Sequence, residues 1–229
     1  MTIHIEEPLS EPMISKLFIG GPRELEQYRQ EVLDGILDFE IDKGNWTYTY
    51  HDRMVNYPIV KKYPVQYRGK ENDIKLFTLN QIEFVINELK RNPSSRRAVI
   101  LVRDPSIDAF NDDPACLQHI QYFIRDNKLH CKVLFRSNDA CKANFMNMFA
   151  FILLQKRVAD ALGVEMGTYT HRANSFHCYE KDFQMLESYV NKIQDPNADN
   201  VFDYIDDWDE IMEEYKPEIE QTVKTLLSH

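Results

Sequence analysis

One cysteine of this chain stands in a setting that suits a nucleophile. The stretch NDDPACLQHIQYF, residues 111–123, places Cys116 two residues after Pro114 and at the head of an apolar run that predicts a short helix. A helix N-terminus and a neighbouring guanidinium both lower the pKa of a thiol, and the thiolate is its nucleophilic form. For a cysteine taken alone, a buried packing role is the commoner case. The rest of the chain therefore decides between the two interpretations.

Three other stretches carry side chains that suit a phosphorylated ligand. They are NPSSRRAV at a helix-to-strand corner, FRSND at the end of a strand, and NSFHCY, whose histidine and tyrosine are two apart and so share one face of a strand. Their charged and ring-bearing members are Arg96, Arg97, Arg136, Asp139, His177 and Tyr179. A phosphate dianion needs several charge-assisted donors, and the planar fork of arginine fits its oxygens.

Composition excludes several classes of protein. The 229 residues have a net charge of −10, which argues against a nucleic-acid polymer as partner. Four cysteines are too few for a disulfide framework, and no metal-ligand spacing is found. No apolar run approaches the roughly 20 residues that span a membrane, and the N-terminus lacks a signal-peptide core. We therefore expect a cytoplasmic protein that binds a small phosphate and uses no metal.

Hydrophobic periodicity predicts the elements that would position these residues. One helix starts near Pro22, and a second covers TLNQIEFVINELKRN between an N-cap at Thr78 and a stop at Pro93. NWTYTYHDRMVNY is aromatic and alternating, which favours a strand or an extended loop. RRAVILVRD predicts a buried strand, and KLHCKVLFRSND predicts a half-buried one.

The second half of the chain completes the predicted architecture. Residues 144–163 form the most hydrophobic helix, EMGTYTHRANSFHCY predicts another strand, and two helices follow, the last of them acidic. The pattern indicates an α+β fold, in which a sheet of several strands packs against a long central apolar helix.

The four stretches, in this order and at this spacing, resemble the thymidylate synthase family, which includes the pyrimidine nucleotide hydroxymethylases. The similarity is close from about Gln81 to Phe183, thins toward the N-terminus and ends near residue 190. The resemblance implies a thymidylate synthase-like α+β fold with a mixed sheet. It also implies a single domain over residues 1–229 that lacks the small inserted domain of long members, as in archaeal-type and phage members.

The chemistry of the family explains why these residue types belong together. Carbon-5 of uracil is a weak nucleophile until a thiolate adds to carbon-6, and the resulting enolate attacks the methylene group of 5,10-methylenetetrahydrofolate or a related reduced pterin. The resemblance implies that Cys116 is this nucleophile, with Arg136 as its guanidinium, and that dUMP or a related uridine nucleotide is the substrate. The histidine that usually follows the cysteine is Leu117 here, which indicates an outlying branch.

The resemblance assigns the nucleotide contacts. The substrate-binding set is Arg96, Arg97, Gln121, Arg136, Ser137, Asn147, His177 and Tyr179. The arginines and the serine match phosphate ligands, the histidine and tyrosine contact the sugar 3'-hydroxyl, and the glutamine makes a further nucleotide contact. Asn147 matches the residue that reads the base, because its amide can donate to O4 and accept from N3–H of uracil. Cytosine-specific members carry an aspartate at that position.

The remaining assignments concern folate and proton transfer. Asp139 matches the aspartate that holds the pterin ring. Glu24 resembles the glutamate that organises water near O4, although a surface glutamate in a first helical turn is its plain alternative. Tyr50 resembles the tyrosine near the carbon-5 proton. The phosphate loop near the N-terminus is not recognisable, and Arg23 and Arg53 are the candidates for its charge.

Three functions stay open on the sequence. In long members an aromatic of the inserted region shields the methylene intermediate from water, and only about ten residues, DFEIDKGNWT, stand at that place here. The product is therefore either dTMP or, by water capture, a 5-hydroxymethyl nucleotide derived from dUMP or UMP. A nucleotide-binding homologue without catalysis is the third possibility, against which the presence of Cys116 argues.

The resemblance also implies a homodimer that packs sheet against sheet. Each subunit would lend Arg96 and Arg97 to the phosphate site of its partner. The residues expected to supply the apolar interface are Val99, Leu101, Leu129, Val133 and Phe135.

Overall fold

The computed structural model of the protein describes residues 1–18, 20–62, 74–197 and 208–228. Its strands are β1 (Thr2–Ile5), β2 (Tyr57–Lys62), β3 (Ile74–Leu79), β4 (Val99–Leu101), β5 (Leu117–Arg125), β6 (Lys128–Asp139) and β7 (Glu165–His177). Its helices are α1 (Gly21–Asp34), α2 (Phe39–Asp42), α3 (Tyr50–Val55), α4 (Gln81–Arg91), α5 (Pro105–Asp108), α6 (Ala143–Leu162), α7 (Phe183–Gln194) and α8 (Trp208–Leu227).

Five of the strands form one mixed sheet in the order β1-β7-β6-β5-β4. Strands β6 and β7 are parallel, and the other neighbouring pairs are antiparallel. Parallel neighbours need a crossover connection, which α6 supplies. The α+β class with a mixed sheet is therefore confirmed. Strands β2 and β3 form a separate antiparallel pair.

Helix α6 supplies much of the core. It covers the predicted helix at 144–163 almost residue for residue, and its apolar side chains are buried on more than one face, as in a helix enclosed by other elements. Strand β6 alternates in burial, and its inward residues Leu129, Cys131, Val133 and Phe135 belong to the same core. No helix within the described ranges is long and apolar enough to cross a membrane.

The helix predicted at Cys116 is wrong, because the residues that follow it form β5. Its buried residues include Leu117, Ile120 and Tyr122, at spacings of three and two. A register shift between Leu117 and His119 interrupts the pairing of β5 with β6. Such an irregularity moves one residue out of the alternation, so the apolar spacing imitates a helical face.

Two further boundaries differ from the sequence prediction. The segment expected to be extended contains α3, whose N-cap Thr49 accepts a hydrogen bond from the backbone N–H of Asp52. Helix α4 has Asn80 as its N-cap, accepting from Glu83 N–H, and not Thr78, which lies in β3.

The predicted apolar interface is also wrong for three of its five residues. Leu129, Val133 and Phe135 are at most 2% exposed within the single chain, where they belong to the core around α6. The opposite face of the sheet carries Phe123, with the Lys132 ammonium 5.7 Å from its ring centroid. Alternation in a strand shows that one face is buried, but not whether a helix or a second subunit buries it.

Candidate active site

Cys116 lies half-buried directly before β5, and Arg136 of the neighbouring strand β6 holds its loop. The Arg136 guanidinium donates through Nη2 to the Pro114 carbonyl at 2.6 Å and through Nε to the Ala115 carbonyl at 3.2 Å. The backbone N–H of Arg136 donates to the Cys116 carbonyl at 2.8 Å. These three bonds fix the cysteine against a rigid strand.

The electrostatics of Cys116 differ from the sequence expectation. Burial raises the pKa of its thiol, the Arg136 cation opposes that effect, and the Asp113 carboxylate adds to it. A helix N-terminus does not contribute, since no helix begins at this residue. The guanidinium of Arg136 is therefore the group that favours the thiolate.

An aromatic cavity of about 420 Å³ opens beside the cysteine loop. It is lined by Tyr28, Glu31, Val32, Leu37, Asn45, Trp46, Thr47, Tyr48, Thr49, Tyr50 and Asp113. Burial is the largest cause that raises the pKa values of Tyr28, Tyr48 and Tyr50, and a charge on Cys116 raises each of them further. Three phenols thus lie within the electrostatic reach of the thiol, of which the sequence predicted only Tyr50.

Tyr48 is held in place by Arg53. The Arg53 guanidinium carbon lies 5.5 Å from the Tyr48 ring centroid, and its Nη2 pairs with Asp108 Oδ1 at 3.0 Å in a fully buried setting. Arg23, the other candidate for a phosphate contact, donates to Thr222 at 2.9 Å and pairs with Glu218 on α8. Arg53 and Arg23 thus both make contacts within the chain.

One face of α1 carries Glu24, Tyr28 and Glu31, spaced four and three residues apart. Glu24 pairs with Lys142 at 2.5 Å, next to the start of α6. Glu31 lines the aromatic cavity, and burial raises the pKa of its carboxyl against a lowering hydrogen bond from Gln27. Sequence reasoning missed Glu31, although its position seven residues after Glu24 puts it on the same helical face.

The parallel pairing of β6 with β7 brings the phosphate and sugar candidates together. Asp139 pairs with His177, and Ser137 Oγ lies 3.4 Å from His177 Nδ1. The His177 and Tyr179 rings meet edge to face with centroids 5.0 Å apart. They do not share a strand face as predicted, because β7 ends at His177 and Tyr179 lies beyond it.

Asp139 caps the start of α6. Its carboxylate accepts from the backbone N–H groups of Cys141, Lys142 and Ala143 at 3.0–3.1 Å. Burial opposes the charged form, but these backbone bonds outweigh it and lower the pKa of Asp139. A turn-forming role is thus present, and it leaves the aspartate charged at the edge of the site.

Within the described residues, one group of three side chains offers ligand atoms to a metal ion. Asp139, Cys141 and Asp182 place these atoms within 4.8 Å of one another. Backbone N–H groups already hold the Asp139 oxygens, so local contacts account for this carboxylate without an ion. The thiols of Cys141 and Cys178 contact each other, and both are free, as are Cys116 and Cys131.

Asn147 is buried near the start of α6, with both ends of its amide engaged. Tyr28 OH donates to Asn147 Oδ1 at 2.5 Å, and Asn147 Nδ2 donates to Asn138 Oδ1 at 3.0 Å. A buried amide needs such partners. Because Tyr28 also lines the aromatic cavity, it connects Asn147 to the cysteine side of the site.

The remaining predicted contacts lie apart from this cluster. The side chains of Arg96 and Arg97 are exposed at the corner between α4 and β4, where Arg97 pairs with Glu88 at 3.1 Å. Gln121 lies on β5, and not on a helix, and donates to the Arg96 carbonyl at 3.0 Å. One chain thus gathers Cys116 with Arg136 and the tyrosines, while this arginine pair faces outward.

Comparison with known proteins identifies the family to which this chain is similar. The family model described as thymidylate synthase matches residues 27–220. A protein of Methanocaldococcus jannaschii, named provisionally as a thymidylate synthase, is 34% identical over 175 residues, or 74% of this chain and 69% of that protein. A thymidylate synthase of Bacillus subtilis subsp. natto is 30% identical over 133 residues, or 58% of this chain and 47% of that protein.

A solved structure shows the same fold. Thermostable thymidylate synthase A from Bacillus subtilis superposes with a TM-score of 0.61 at 20% identity, over 84% of this chain and 69% of that one. The family match extends further in both directions than the Gln81–Phe183 similarity of the motifs, and the expected end of the similarity near residue 190 is wrong. Since the family model matches most of the length of the chain, the chain belongs to the thymidylate synthase family.

Proposed function

We propose that the protein transfers a one-carbon unit from 5,10-methylenetetrahydrofolate to carbon-5 of dUMP and forms dTMP through a covalent Cys116 adduct. The observation that carries the proposal is the half-buried Cys116, whose loop borders an aromatic cavity at Asp113 and is held by Arg136. The Cys116 thiolate would add to carbon-6 of the base, which makes carbon-5 an enolate nucleophile toward the methylene group. Removal of the carbon-5 proton would expel tetrahydrofolate from the methylene group. A hydride from that tetrahydrofolate would reduce the methylene to a methyl group as the thiolate leaves carbon-6, which would regenerate the enzyme and yield dihydrofolate.

Arg136 would serve two parts of this reaction. An arginine carries five N–H donors. The bond to Ala115 uses the Nε hydrogen and the bond to Pro114 uses one Nη2 hydrogen. Its charge favours the Cys116 thiolate, and its remaining donors would contact the nucleotide phosphate together with Ser137.

The other proposed roles follow from the resemblance of the motifs to the family. His177 and Tyr179 would bind the sugar, Asn147 would read the base, and Asp139 would hold the pterin. Glu24 and Tyr50 are our candidates for proton transfer, and Gln121 for a further nucleotide contact. Glu31 and Tyr48 join the proton-transfer candidates because both line the cavity.

The phosphate site would be completed by a second copy of the chain. Arg96 and Arg97 are exposed at the corner between α4 and β4, as arginines donated to a partner would be. The outer face of the sheet, with Phe123 and Leu134, is the surface on which the two copies would meet.

A 5-hydroxymethyltransferase acting on dUMP or UMP is the second candidate function. The connection between α1 and α3 is short, at residues 35–49, and contains only the four-residue helix α2. Trp46 of this connection nevertheless lines the cavity beside Tyr48, where a ring could exclude water from the methylene group. That position favours the methyl product.

Tritium release from [5-³H]dUMP in the presence of methylenetetrahydrofolate tests the proposal. Release together with the ultraviolet signature of dihydrofolate supports methyl transfer, because the methyl group is formed by oxidation of tetrahydrofolate. Release without that signature supports hydroxymethylation. A protein that binds dUMP and releases no tritium with any reduced folate would be a nucleotide-binding homologue, and the proposal would be wrong.

A further inference from the structure

Asn147 belongs to a hydrogen-bonded series of buried side chains, which we call the polar chain. It runs from α1 through α6 and β6 to β7, and its members are Tyr28, Asn147, Asn138, Asn144, His171 and Tyr169. Asn138, Asn144, Asn147, His171 and Tyr169 are all at most 9% exposed. Buried polar groups of this kind specify orientation, because each unmade bond is costly.

Asn138 is the central member of the polar chain. Its Nδ2 group donates to Asn144 Oδ1 and to His171 Nε2, both at 3.0 Å, and so uses both hydrogens. Its Oδ1 accepts from Asn147 Nδ2 at 3.0 Å. If the Asn138 amide rotated by half a turn alone, its NH₂ group would face the NH₂ group of Asn147.

His171 can accept one of these bonds. Its ring stacks on Phe135 with centroids 4.8 Å apart, and burial lowers its pKa to about 4. The ring is therefore neutral at pH 7, and Nε2 can offer a lone pair to Asn138 while Nδ1–H faces Tyr169 OH at 3.1 Å.

The orientation of the Asn147 amide follows from that of Asn138. Rotation of this amide would place its oxygen against Asn138 Oδ1 and leave two buried acceptors facing each other. Its present orientation receives the Tyr28 hydroxyl on Oδ1 and satisfies Asn138 with Nδ2. Each end keeps one further hydrogen-bonding site, a second lone pair on Oδ1 and a second hydrogen on Nδ2.

Orientation matters because an asparagine amide can read either pyrimidine. One orientation presents donor and acceptor to O4 and N3–H of uracil, and the rotated one presents acceptor and donor to the amino group and N3 of cytosine. We infer that Asn138 is a positioning residue that sets the preference for uracil over cytosine by holding the Asn147 amide in one orientation. The inference rests on the proposed role of Asn147 as the base reader.

The test compares the binding of dUMP and dCMP by isothermal titration calorimetry. For Asn138→Ala we expect the ratio of the two affinities to fall by about tenfold or more, because the amide of Asn147 is then free to rotate. Asn138→Asp retains an acceptor for Asn147 Nδ2 but loses the donor to Asn144 and His171; as a folded protein we expect it to keep most of the preference. Tyr28→Phe removes only the hydroxyl at the other end and should keep the ratio, because a hydroxyl can donate to the amide oxygen or accept from its NH₂ group and so sets no orientation.

Asn144→Ala is the matched control, since it removes a buried amide that contacts Asn138 but not Asn147. We expect it to keep the wild-type ratio, and thermal melting establishes that each variant is folded. A folded Asn138→Ala protein with an unchanged ratio overturns the inference while dUMP binding stands. If that variant does not fold, an unchanged ratio in a folded Asn138→Leu protein, which also lacks the acceptor for Asn147 Nδ2, overturns it. A wild-type protein that binds dUMP and dCMP alike overturns the base-reading role of Asn147 itself.

Discussion

The backbone N–H of Arg136 donates to the carbonyl of Cys116 at 2.8 Å, while the Arg136 guanidinium donates to the carbonyls of the two preceding residues. One side chain thus both anchors the cysteine loop and supplies the positive charge next to the thiol. A rigid strand holding a nucleophile in this way limits the motion that would reduce its reactivity.

The first prediction concerns the nucleophile. We expect Cys116→Ser to lose turnover to background while dUMP still binds, because the proposed base and phosphate contacts remain. Tritium release and calorimetry measure the two properties separately. Cys178→Ala is the matched control, as another half-buried cysteine, and should remain active. A serine variant with near wild-type turnover would show that Cys116 is not the nucleophile.

The second prediction is a pH dependence. Because burial raises the pKa of Cys116, the thiolate fraction of the free protein should still be rising above the ordinary thiol range, near pH 8.5. The rate of alkylation of Cys116 by iodoacetamide, followed by mass spectrometry of its peptide, should therefore reach half of its maximum at a pH above that value.

Arg136 should control the position of this profile. Arg136→Gln removes the cation that lowers the thiol pKa, so the profile should move to higher pH. Arg136→Lys keeps the charge but not the fork, and its profile should lie between those of the glutamine variant and the wild type. Identical profiles for all three proteins would exclude Arg136 as the group that favours the thiolate.

The sequence predicted the secondary structure best where a single hydrophobic periodicity runs through a segment without interruption. The long apolar helix and strand β6 lie where they were predicted, since nothing interrupts their repeats. The prediction for the segment after Cys116 failed because the irregularity between Leu117 and His119 disturbs the alternation of a strand.

The residues of the candidate site also fall into those that the sequence could predict and those that it could not. Motifs indicated Cys116, Arg136 and Asn147, but Tyr48 and Glu31 belong to no motif. They reach the cavity only because α1 and the loop before α3 pack beside the cysteine. The sequence also could not tell that Leu129, Val133 and Phe135 face a helix, since burial by α6 and burial by a partner produce the same pattern.

The third prediction concerns the ion pair behind Tyr48. Arg53 and Asp108 are both almost fully buried, so Arg53→Leu would leave an uncompensated carboxylate in the interior. We expect the free energy of unfolding in urea to fall by about 3–5 kcal/mol. Lys156→Ala breaks an exposed pair with Asp160 and should change it by less than about 1 kcal/mol. Equal effects of the two substitutions would contradict this account.

The last prediction concerns assembly. If Arg96 and Arg97 complete the phosphate site of a partner subunit, a subunit with a defective cysteine and a subunit with defective arginines can complement each other. Cys116→Ser and the double variant Arg96→Ala, Arg97→Ala should each be inactive as pure proteins. In a mixed dimer one site would carry both lesions and the other neither, so co-expression with two affinity tags should recover about half of the wild-type activity per purified mixed dimer. Lys156→Ala in place of the arginine variant controls for the effect of mixing. Verified mixed dimers without activity would exclude sharing of the arginines, and a monomer in solution would exclude the arrangement altogether.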